Sequence, residues 1–224
     1  LGEYFENEKA GQFPDTKWKI NNLGKGWVLG ETLITGIGQG YTQTTPIQLC
    51  LMTAQIANGG YKIQPKILTD DNQLTSEQVK KAMEDSKSND FYEPLYDDQK
   101  NIRIIQEAMF SSTNEIMGTS YKSRIDDPKY QFAGKTGTAQ VKRISKRERE
   151  LDLKTFQIPY EERDHALYIA YGPYKNPRYA TSIIIEHGGS GSSTAAPIAK
   201  KLFKLIIDRH ELRESIKEKK HWDI

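Results

Sequence analysis

The chain has 224 residues, enough for one substantial domain or a large piece of one. Its 32 basic and 30 acidic residues leave a formal charge of +2, so the charge balance points neither to nucleic acid nor to an acidic surface. The single cysteine, Cys50, excludes an internal disulfide and a cysteine metal cluster. No run of about 18 apolar residues is present that could span a bilayer.

The N-terminal part of the sequence carries few structural signals. It begins at Leu1 without an initiator methionine or a signal peptide, which predicts an excised fragment. Residues 1–35 are rich in glycine, asparagine, lysine and aromatic residues without a sustained period. We therefore expect an extended segment dominated by loops.

A well-marked helix follows. Thr45 is suited to the N-cap, Pro46 to the first helical position, and Gln48 completes a capping box, while Asn58 and the glycines after it end the helix. The helix is apolar nearly all round, which predicts a central position. Cys50 then acts as a small buried apolar side chain rather than a reactive thiol.

The middle of the chain predicts one extended segment and two further helices. Residues 61–68 (YKIQPKIL) indicate a short edge strand or extended segment, because Pro65 cannot donate to a ladder. Residues 75–84 (TSEQVKKAME) are typical of a surface helix. Residues 98–117 repeat apolar side chains at helical spacing and predict an amphipathic helix.

Three strand candidates occupy the last third: residues 132–141 (FAGKTGTAQV), 165–173 (HALYIAYGP) and 178–187 (RYATSIIIEH). The charged insertion between the first two mixes acids with bases, which favours a solvated excursion over a nucleic-acid patch. A glycine turn then leads into an amphipathic closing helix. Helices, an antiparallel meander and a covering helix together make an α+β pattern.

The first strand candidate has a lysine among its smallest residues. Alternation places Lys135 on the opposite face from Thr136 and Thr138. Glycine and alanine beside Lys135 leave room for another group, and Gly137 lets a ligand approach the main chain. Such a strand suits an anionic peptide end, although a lysine on an exposed edge can also serve only to prevent aggregation.

The motif GKTGTAQ resembles the third signature of the serine penicillin-recognising enzymes, the K-T-G strand that accompanies an S-x-x-K nucleophile and an S-x-N motif. It follows GIGQGYTQTTPIQL and precedes DHALYIAYGP and IIIEHGGSGSSTAAPIAKKLF. This order resembles the penicillin-binding protein 2 family, the monofunctional class B transpeptidases of cell elongation, from Gly2 to Leu205. The resemblance implies part of a β-lactamase-like fold: residues 1–120 mostly loop and helix, 130–210 strands and closing helix, within one portion 1–210, and a frayed tail at 211–224.

The resemblance also implies roles for the residues of this strand. Lys135 would bridge to the S-x-N serine and hold positive charge near the substrate carboxylate, which Thr136 and Thr138 would bind. Gly137 would keep the cleft open, and the main-chain N–H of Thr138 would form half of the oxyanion hole. Gln140 is a lesser candidate for contact with the peptide.

The remaining motifs of the family are missing. No serine has a lysine three positions later, so the chain carries no S-x-x-K nucleophile. Ser112-Thr113-Asn114 matches S-x-N, but it lies inside a predicted helix and is better explained as a polar helix end. We expect both motifs upstream of Leu1 and the chain to be inactive alone.

By resemblance, the parent would be anchored in the inner membrane by a missing N-terminal helix, with a periplasmic catalytic domain. It would cross-link D-Ala-D-Ala stem peptides through an acyl-serine, bind β-lactams and work beside a polytopic glycan polymerase, without metal, cofactor or nucleic acid. The alternative function is a catalytically silent binding or scaffold module with the same fold.

Three other motifs have plainer explanations. The G-x-G-x-G spacing at 36–40 lacks the strand and acidic residue of a nucleotide loop. The glycine-serine run at 188–193 favours a strand-to-helix turn over an anion site. His165 and His187 flank strands without a cluster of acids, which favours structural roles over zinc.

Overall fold

The computed structural model of the chain describes residues 8–63, 65, 93–95, 97–142 and 153–222. The predicted surface helix at 75–84, half of the extended segment at 61–68 and the centre of the charged insertion lie outside these residues.

Three antiparallel strands form the sheet of the described residues: β1 (Ala133–Ala139), β2 (His165–Gly172) and β3 (Tyr179–Ile185), in that order. Lys135 lies opposite Ile169, which in turn lies opposite Ser182, so the register runs continuously across the sheet. The predicted three-stranded meander is confirmed.

The described residues also form α1 (Thr16–Leu23), α2 (Leu29–Gly36), α3 (Pro46–Ala57), α4 (Gln99–Asn114) and α5 (Ala196–Trp222). A π-helical turn, Gly191–Ala195, leads into α5. Within the ranges given above, no helix combines the length and the apolarity needed to cross a membrane. The predicted closing helix is confirmed, and it continues through residues 211–222, which we expected to fray. The domain limits at 210 and 211 stay a prediction.

The sheet separates two helical layers, because successive residues of a strand face opposite sides. On one side, Phe132 and Tyr168 pack in the core with Phe203 of α5, and the Phe132 and Phe203 rings stack with centroids 5.0 Å apart. On the other side, Ala133 packs with Met109 of α4, and α3 lies against β3 and β2. The result is the predicted α+β arrangement, with β1 next to α4.

Helix α3 begins as predicted. Gln48 accepts from the Thr45 N–H at 2.9 Å and donates its own N–H to the Thr45 hydroxyl at 3.3 Å, which forms the capping box. Its predicted burial all round is wrong: Thr53 is its fully buried residue, while Ile47 and Met52 are each 39% exposed. Within the described part of the chain, α3 covers the sheet with one side only.

Helix α4 is confirmed with a shorter C-terminal end. Asp98 caps it by accepting the Lys100 N–H at 2.9 Å, and the helix ends at Asn114 rather than Met117. Ile102 and Met109 are buried as their spacing predicts. The same spacing is wrong for Ile105, which is 41% exposed, and for Ile116, which lies beyond the helix and is 79% exposed.

The expectation of loops throughout residues 1–35 is wrong, because α1 and α2 lie there. The Asp15 carboxylate accepts the Trp18 N–H at 2.6 Å and begins α1, and Gly24, with a φ of 63°, ends it. Glu31 accepts the Val28 N–H at 2.8 Å at the start of α2. Helices of eight residues are too short to show a hydrophobic period, so their caps are the signal to read.

A buried ion pair joins α1 to α2. Lys19 is 5% exposed, and its ammonium donates to the Gly26 carbonyl at 2.7 Å and to the Glu31 carboxylate at 2.6 Å. Hydrogen bonds from Lys19 and from the Val28 N–H hold the pKa of Glu31 below its usual value of 4.5. The charged form of Glu31 therefore stabilises this pair of helices.

A phenol from β2 crosses β1 at its glycine. A Cβ at Gly134 would lie 2.3 Å from the Tyr168 hydroxyl oxygen. That oxygen is hydrogen-bonded to Thr113 Oγ1 at 2.9 Å and to Ser120 Oγ at 3.0 Å. Tyr168 thus ties β2 to α4 and to the loop after α4, and only glycine leaves room for it.

Gly134→Ala should lower the free energy of unfolding by about 1–3 kcal/mol, because the new methyl group overlaps the Tyr168 hydroxyl. Urea denaturation measures the change. The matched control is Gly30→Ala, where an added Cβ meets nothing within 4 Å, and it should leave stability unchanged or raise it by up to about 1 kcal/mol. Equal losses in the two variants would contradict this explanation.

The α1–α2 pair should loosen in acid. Because the pKa of Glu31 is lowered on folding, its carboxylate contributes stability above its unfolded value near 4.5, and that contribution disappears as the pH falls through the lower folded value. Amide hydrogen exchange in α1, corrected for the intrinsic rate, measures this loss. Glu31→Gln should show weaker protection at neutral pH and no change over the acid range; an acid profile like that of the unmodified chain would refute the assignment.

Candidate active site

β1 is an edge strand of the described sheet, since it pairs with β2 alone. Main-chain groups of an antiparallel strand point alternately towards and away from its partner. The Phe132 carbonyl accepts from the Asn114 side chain at 3.0 Å and the Thr136 carbonyl accepts from the Lys135 ammonium at 2.8 Å, and neither donor belongs to β2. The even-numbered residues therefore turn their main chain to the open edge, and the N–H of Thr138 lies among them.

Lys135 extends from the face of the sheet that packs against α4. Its side chain is exposed and lines an open cavity of about 540 Å³. The apolar wall of this cavity is formed by Ile56, Ile105, Ala108, Met109, Met117 and Ile169. Lys135 forms no ion pair with any residue that the structure describes, so its positive charge has no acidic partner there.

The other predicted site residues follow along the same strand. Thr136 is half-buried, and its hydroxyl lies 3.4 Å from the Thr119 hydroxyl and 3.5 Å from the Lys135 ammonium. Thr138 is exposed near the end of β1. Gly137 lies between them, and an added Cβ there would come within 3.2 Å of Leu167. Gln140 is exposed just after the strand ends.

The structure adds polar residues that the motif search did not propose as site residues. Ser112, Glu115 and Thr119 line the cavity together with Lys135. The Ser112 and Thr119 hydroxyls are 3.2 Å apart, so hydroxyl groups continue from α4 to Thr136. Residue spacing could not reveal this row of hydroxyl groups. Thr119 lies in the loop after α4, and only the folding of that loop brings it next to Thr136 of β1.

Ser112-Thr113-Asn114 fastens α4 to the sheet. Thr113 is hydrogen-bonded to Tyr168, and the Asn114 amide donates to the carbonyls of Phe110 and Phe132, each at 3.0 Å. This structural use agrees with its interpretation as a polar helix end rather than an S-x-N motif.

Burial favours the protonated forms of the Tyr168 and Tyr171 phenols and of the Cys50 thiol. Burial raises the pKa of Tyr168, while hydrogen bonds from Ser120 and Thr113 oppose that rise, and burial raises the pKa of Tyr171. Burial also raises the pKa of Cys50, whose half-buried thiol lies 3.4 Å from the Ala180 carbonyl. None of these groups is a nucleophile poised at neutral pH. Among the described residues, no three His, Cys, Asp or Glu side chains are grouped to hold a metal ion.

Comparison with known proteins identifies the family. The profile described as the penicillin binding protein transpeptidase domain matches residues 2–204. The chain belongs to this family. The chain is 32% identical over 214 residues to the peptidoglycan D,D-transpeptidase MrdA of Haemophilus influenzae, and 34% identical over 202 residues to MrdA of Salmonella typhimurium. These matches cover 93% and 90% of this chain but 30% and 31% of the two relatives.

Solved penicillin-binding protein 2 (PBP2) structures have the same fold. The chain matches Helicobacter pylori PBP2 in its complex with MreC at 30% identity and a TM-score of 0.66, covering 92% of this chain and 32% of that one. It matches Pseudomonas aeruginosa PBP2 in complex with WCK 5153 at 34% identity and a TM-score of 0.66, covering 88% and 38%. The predicted resemblance to the PBP2 family is confirmed, and the chain spans roughly a third of these relatives' length.

Asn114→Asp should free the upstream end of β1, because a carboxylate cannot donate to the Phe132 carbonyl and repels it. The expected loss is about 1–3 kcal/mol in the free energy of unfolding, with faster amide exchange in β1. Thermal denaturation and exchange measurements test this. Asn101→Asp, an exposed change of the same kind on α4, should leave both nearly unchanged; a comparable loss there would show a general effect of added charge.

Proposed function

We propose that this chain supplies the K-T-G side of the active site of a peptidoglycan D,D-transpeptidase of cell elongation. The observation that carries the proposal is Lys135, an ammonium without an acidic partner among the described residues, on an edge strand whose Thr138 N–H faces outward. Membership of the family and the relatives named above support it.

Lys135 provides the attraction for an anionic peptide end. A carboxylate about 4 Å from the ammonium gains roughly 4 kcal/mol of Coulomb energy at an effective dielectric near 20, before the cost of desolvation. The exposed Thr138 hydroxyl is the better placed of the two threonines to bind that carboxylate, because the Thr136 hydroxyl already faces Thr119. Lys135 also bridges to the serine of the S-x-N motif in the complete site.

The open edge of β1 makes a second contribution to the site, a main-chain hydrogen-bond donor. The outward Thr138 N–H is one donor of an oxyanion hole, and the second donor is the main chain of the nucleophilic serine. Gly137 keeps side-chain bulk away from this position, and Gln140 contacts the peptide beyond the strand end. Losing one oxyanion donor typically slows a reaction by about 100- to 1,000-fold.

The covalent steps need residues that this sequence does not contain. An S-x-x-K serine attacks the D-Ala-D-Ala bond of a stem peptide, D-alanine leaves, and an amine of a neighbouring stem resolves the acyl-serine into a cross-link. β-Lactams imitate the stem peptide and acylate the same serine. No serine of this chain stands in that motif, so the chain alone is inactive.

The wider setting follows from the same family. We place the catalytic domain in the periplasm, anchored in the inner membrane, where it acts beside a polytopic glycan polymerase. An MreC complex is recorded for the Helicobacter pylori relative, and a contact of that kind is part of the proposal here.

The absence of an S-x-x-K serine favours a second candidate, a silent module that binds peptide or partner protein without chemistry. The two candidates differ in one respect. A transpeptidase needs a nucleophile joined to this chain, whereas a silent module does not.

Mass spectrometry after incubation with benzylpenicillin separates the candidates. We expect no adduct on the chain alone and one covalent adduct when the reading frame upstream of Leu1 is expressed with it. Lys135→Met in that longer protein should slow acylation by about 100-fold, because the carboxylate of the drug loses its counter-charge.

Lys201→Met is the matched control, since Lys201 is exposed on α5. It should be acylated at the unmodified rate. A longer protein without any adduct would favour the silent module, and an unchanged rate in Lys135→Met would refute the role of Lys135.

A further inference from the structure

Two histidines meet at the end of the sheet where β1 finishes. His165 begins β2 and lies opposite Ala139, the last residue of β1, while His187 follows β3. The two rings are edge-to-face with centroids 4.8 Å apart. The His187 main-chain N–H donates to His165 Nδ1 at 2.9 Å. A main-chain N–H can only donate, so His165 Nδ1 carries no proton and the imidazole is neutral.

This hydrogen bond begins a loop that passes behind β1. His187 has a φ of 54°, a left-handed conformation that residues other than glycine seldom adopt. The back loop, Gly188–Gly191, then returns beneath the strands, and the Gly189 N–H donates to the Asp164 carbonyl at 2.8 Å. A Cβ on Gly191 would lie 2.8 Å from the Gly137 carbonyl oxygen. The back loop therefore contacts the main chain of β1 immediately before Thr138.

We propose that neutral His165 is a positioning residue for the K-T-G strand, and that protonation of His165 releases the back loop and loosens the ligand-binding end of β1. Protonation puts a hydrogen on Nδ1, which then faces the His187 N–H donor instead of accepting from it. The significance of β1 as a ligand-binding strand rests on the proposed function. The hydrogen bond and its dependence on protonation do not.

The neighbouring groups single out His165 as the sensitive histidine. His187 Nδ1 lies 3.2 Å from the Arg163 carbonyl, an acceptor, so that nitrogen keeps its proton in either charge state. Protonating both rings at 4.8 Å would add repulsion between like charges.

The other charged or titratable groups nearby are engaged elsewhere. The Asp164 carboxylate accepts the Val141 N–H, the Glu162 carboxylate binds Lys142, the Arg163 guanidinium stacks on Tyr160, and the Tyr160 hydroxyl donates to the main chain of Glu186. Because these groups have other partners, the hydrogen bond from the His187 N–H to His165 Nδ1 is the contact that protonation of His165 breaks.

Amide hydrogen exchange of the complete 224-residue chain tests the proposal. After correction for the intrinsic rate, protection of the back-loop amides and of Gly137, whose main chain faces Leu167 of β2, should fall about 5- to 10-fold between about pH 7.5 and 5.5. This is the range in which an imidazole titrates, and the size of the change is that of one hydrogen bond. His165→Asn keeps an acceptor near the position of Nδ1 but does not titrate, so it should hold its protection at both pH values. His165→Leu should be weakly protected at both.

His210→Asn is the matched control, because His210 lies on α5 beside Tyr179 and should retain the full pH response. A pH response in His165→Asn equal to that of the unmodified chain, or a flat profile in the unmodified chain, would overturn the proposal. The experiment uses no ligand, so its failure leaves the transpeptidase proposal intact. Equally, if the longer protein forms no penicillin adduct, the proposal for His165 is unaffected.

Discussion

The site depends on β1 remaining open along one edge while being held in a fixed position. An edge strand offers main-chain donors to a ligand, but unpaired strands are also prone to fray or to pair with other chains. Here the strand is fastened from outside the sheet. Asn114 binds the Phe132 carbonyl, and the Tyr168 phenol passes over Gly134 to reach Thr113. These contacts secure the upstream half of β1 and leave Thr138 unobstructed.

The same arrangement explains why the small residues surround the lysine. Gly134 makes room for the phenol on one face, and the lack of a side chain at Gly191 lets the back loop approach the main chain of Gly137. Lys135 extends over the cavity beside α4. Gly134 therefore allows the strand to be fastened, and in the proposed function Lys135 places a positive charge where a peptide can meet it.

In the proposed function, the chain is one wall of a larger site. It spans roughly a third of the length of its relatives, and its sequence contains no serine in an S-x-x-K motif. In the proposed function, it contributes the part that recognises and orients the substrate: the Lys135 ammonium, the outward Thr138 N–H and the Thr138 hydroxyl. Positioning of this kind lowers a barrier before any bond is broken, because the entropy of alignment is lost on binding rather than in the transition state.

The sequence by itself determined the three strands, the caps of α3, the helical spacing of α4, the closing helix and the K-T-G motif, because each depends on residues a few positions apart. The caps of α1 and α2 are also present in the sequence, but a search for hydrophobic periodicity does not detect helices as short as these. Only the tertiary structure decided which edge of β1 is open, why Gly134 must be glycine and how His165 meets His187. Those features join residues far apart in the chain, as in the 55-residue separation of Thr113 and Tyr168. No local pattern encodes such contacts, since they exist only once the helices have packed on the sheet.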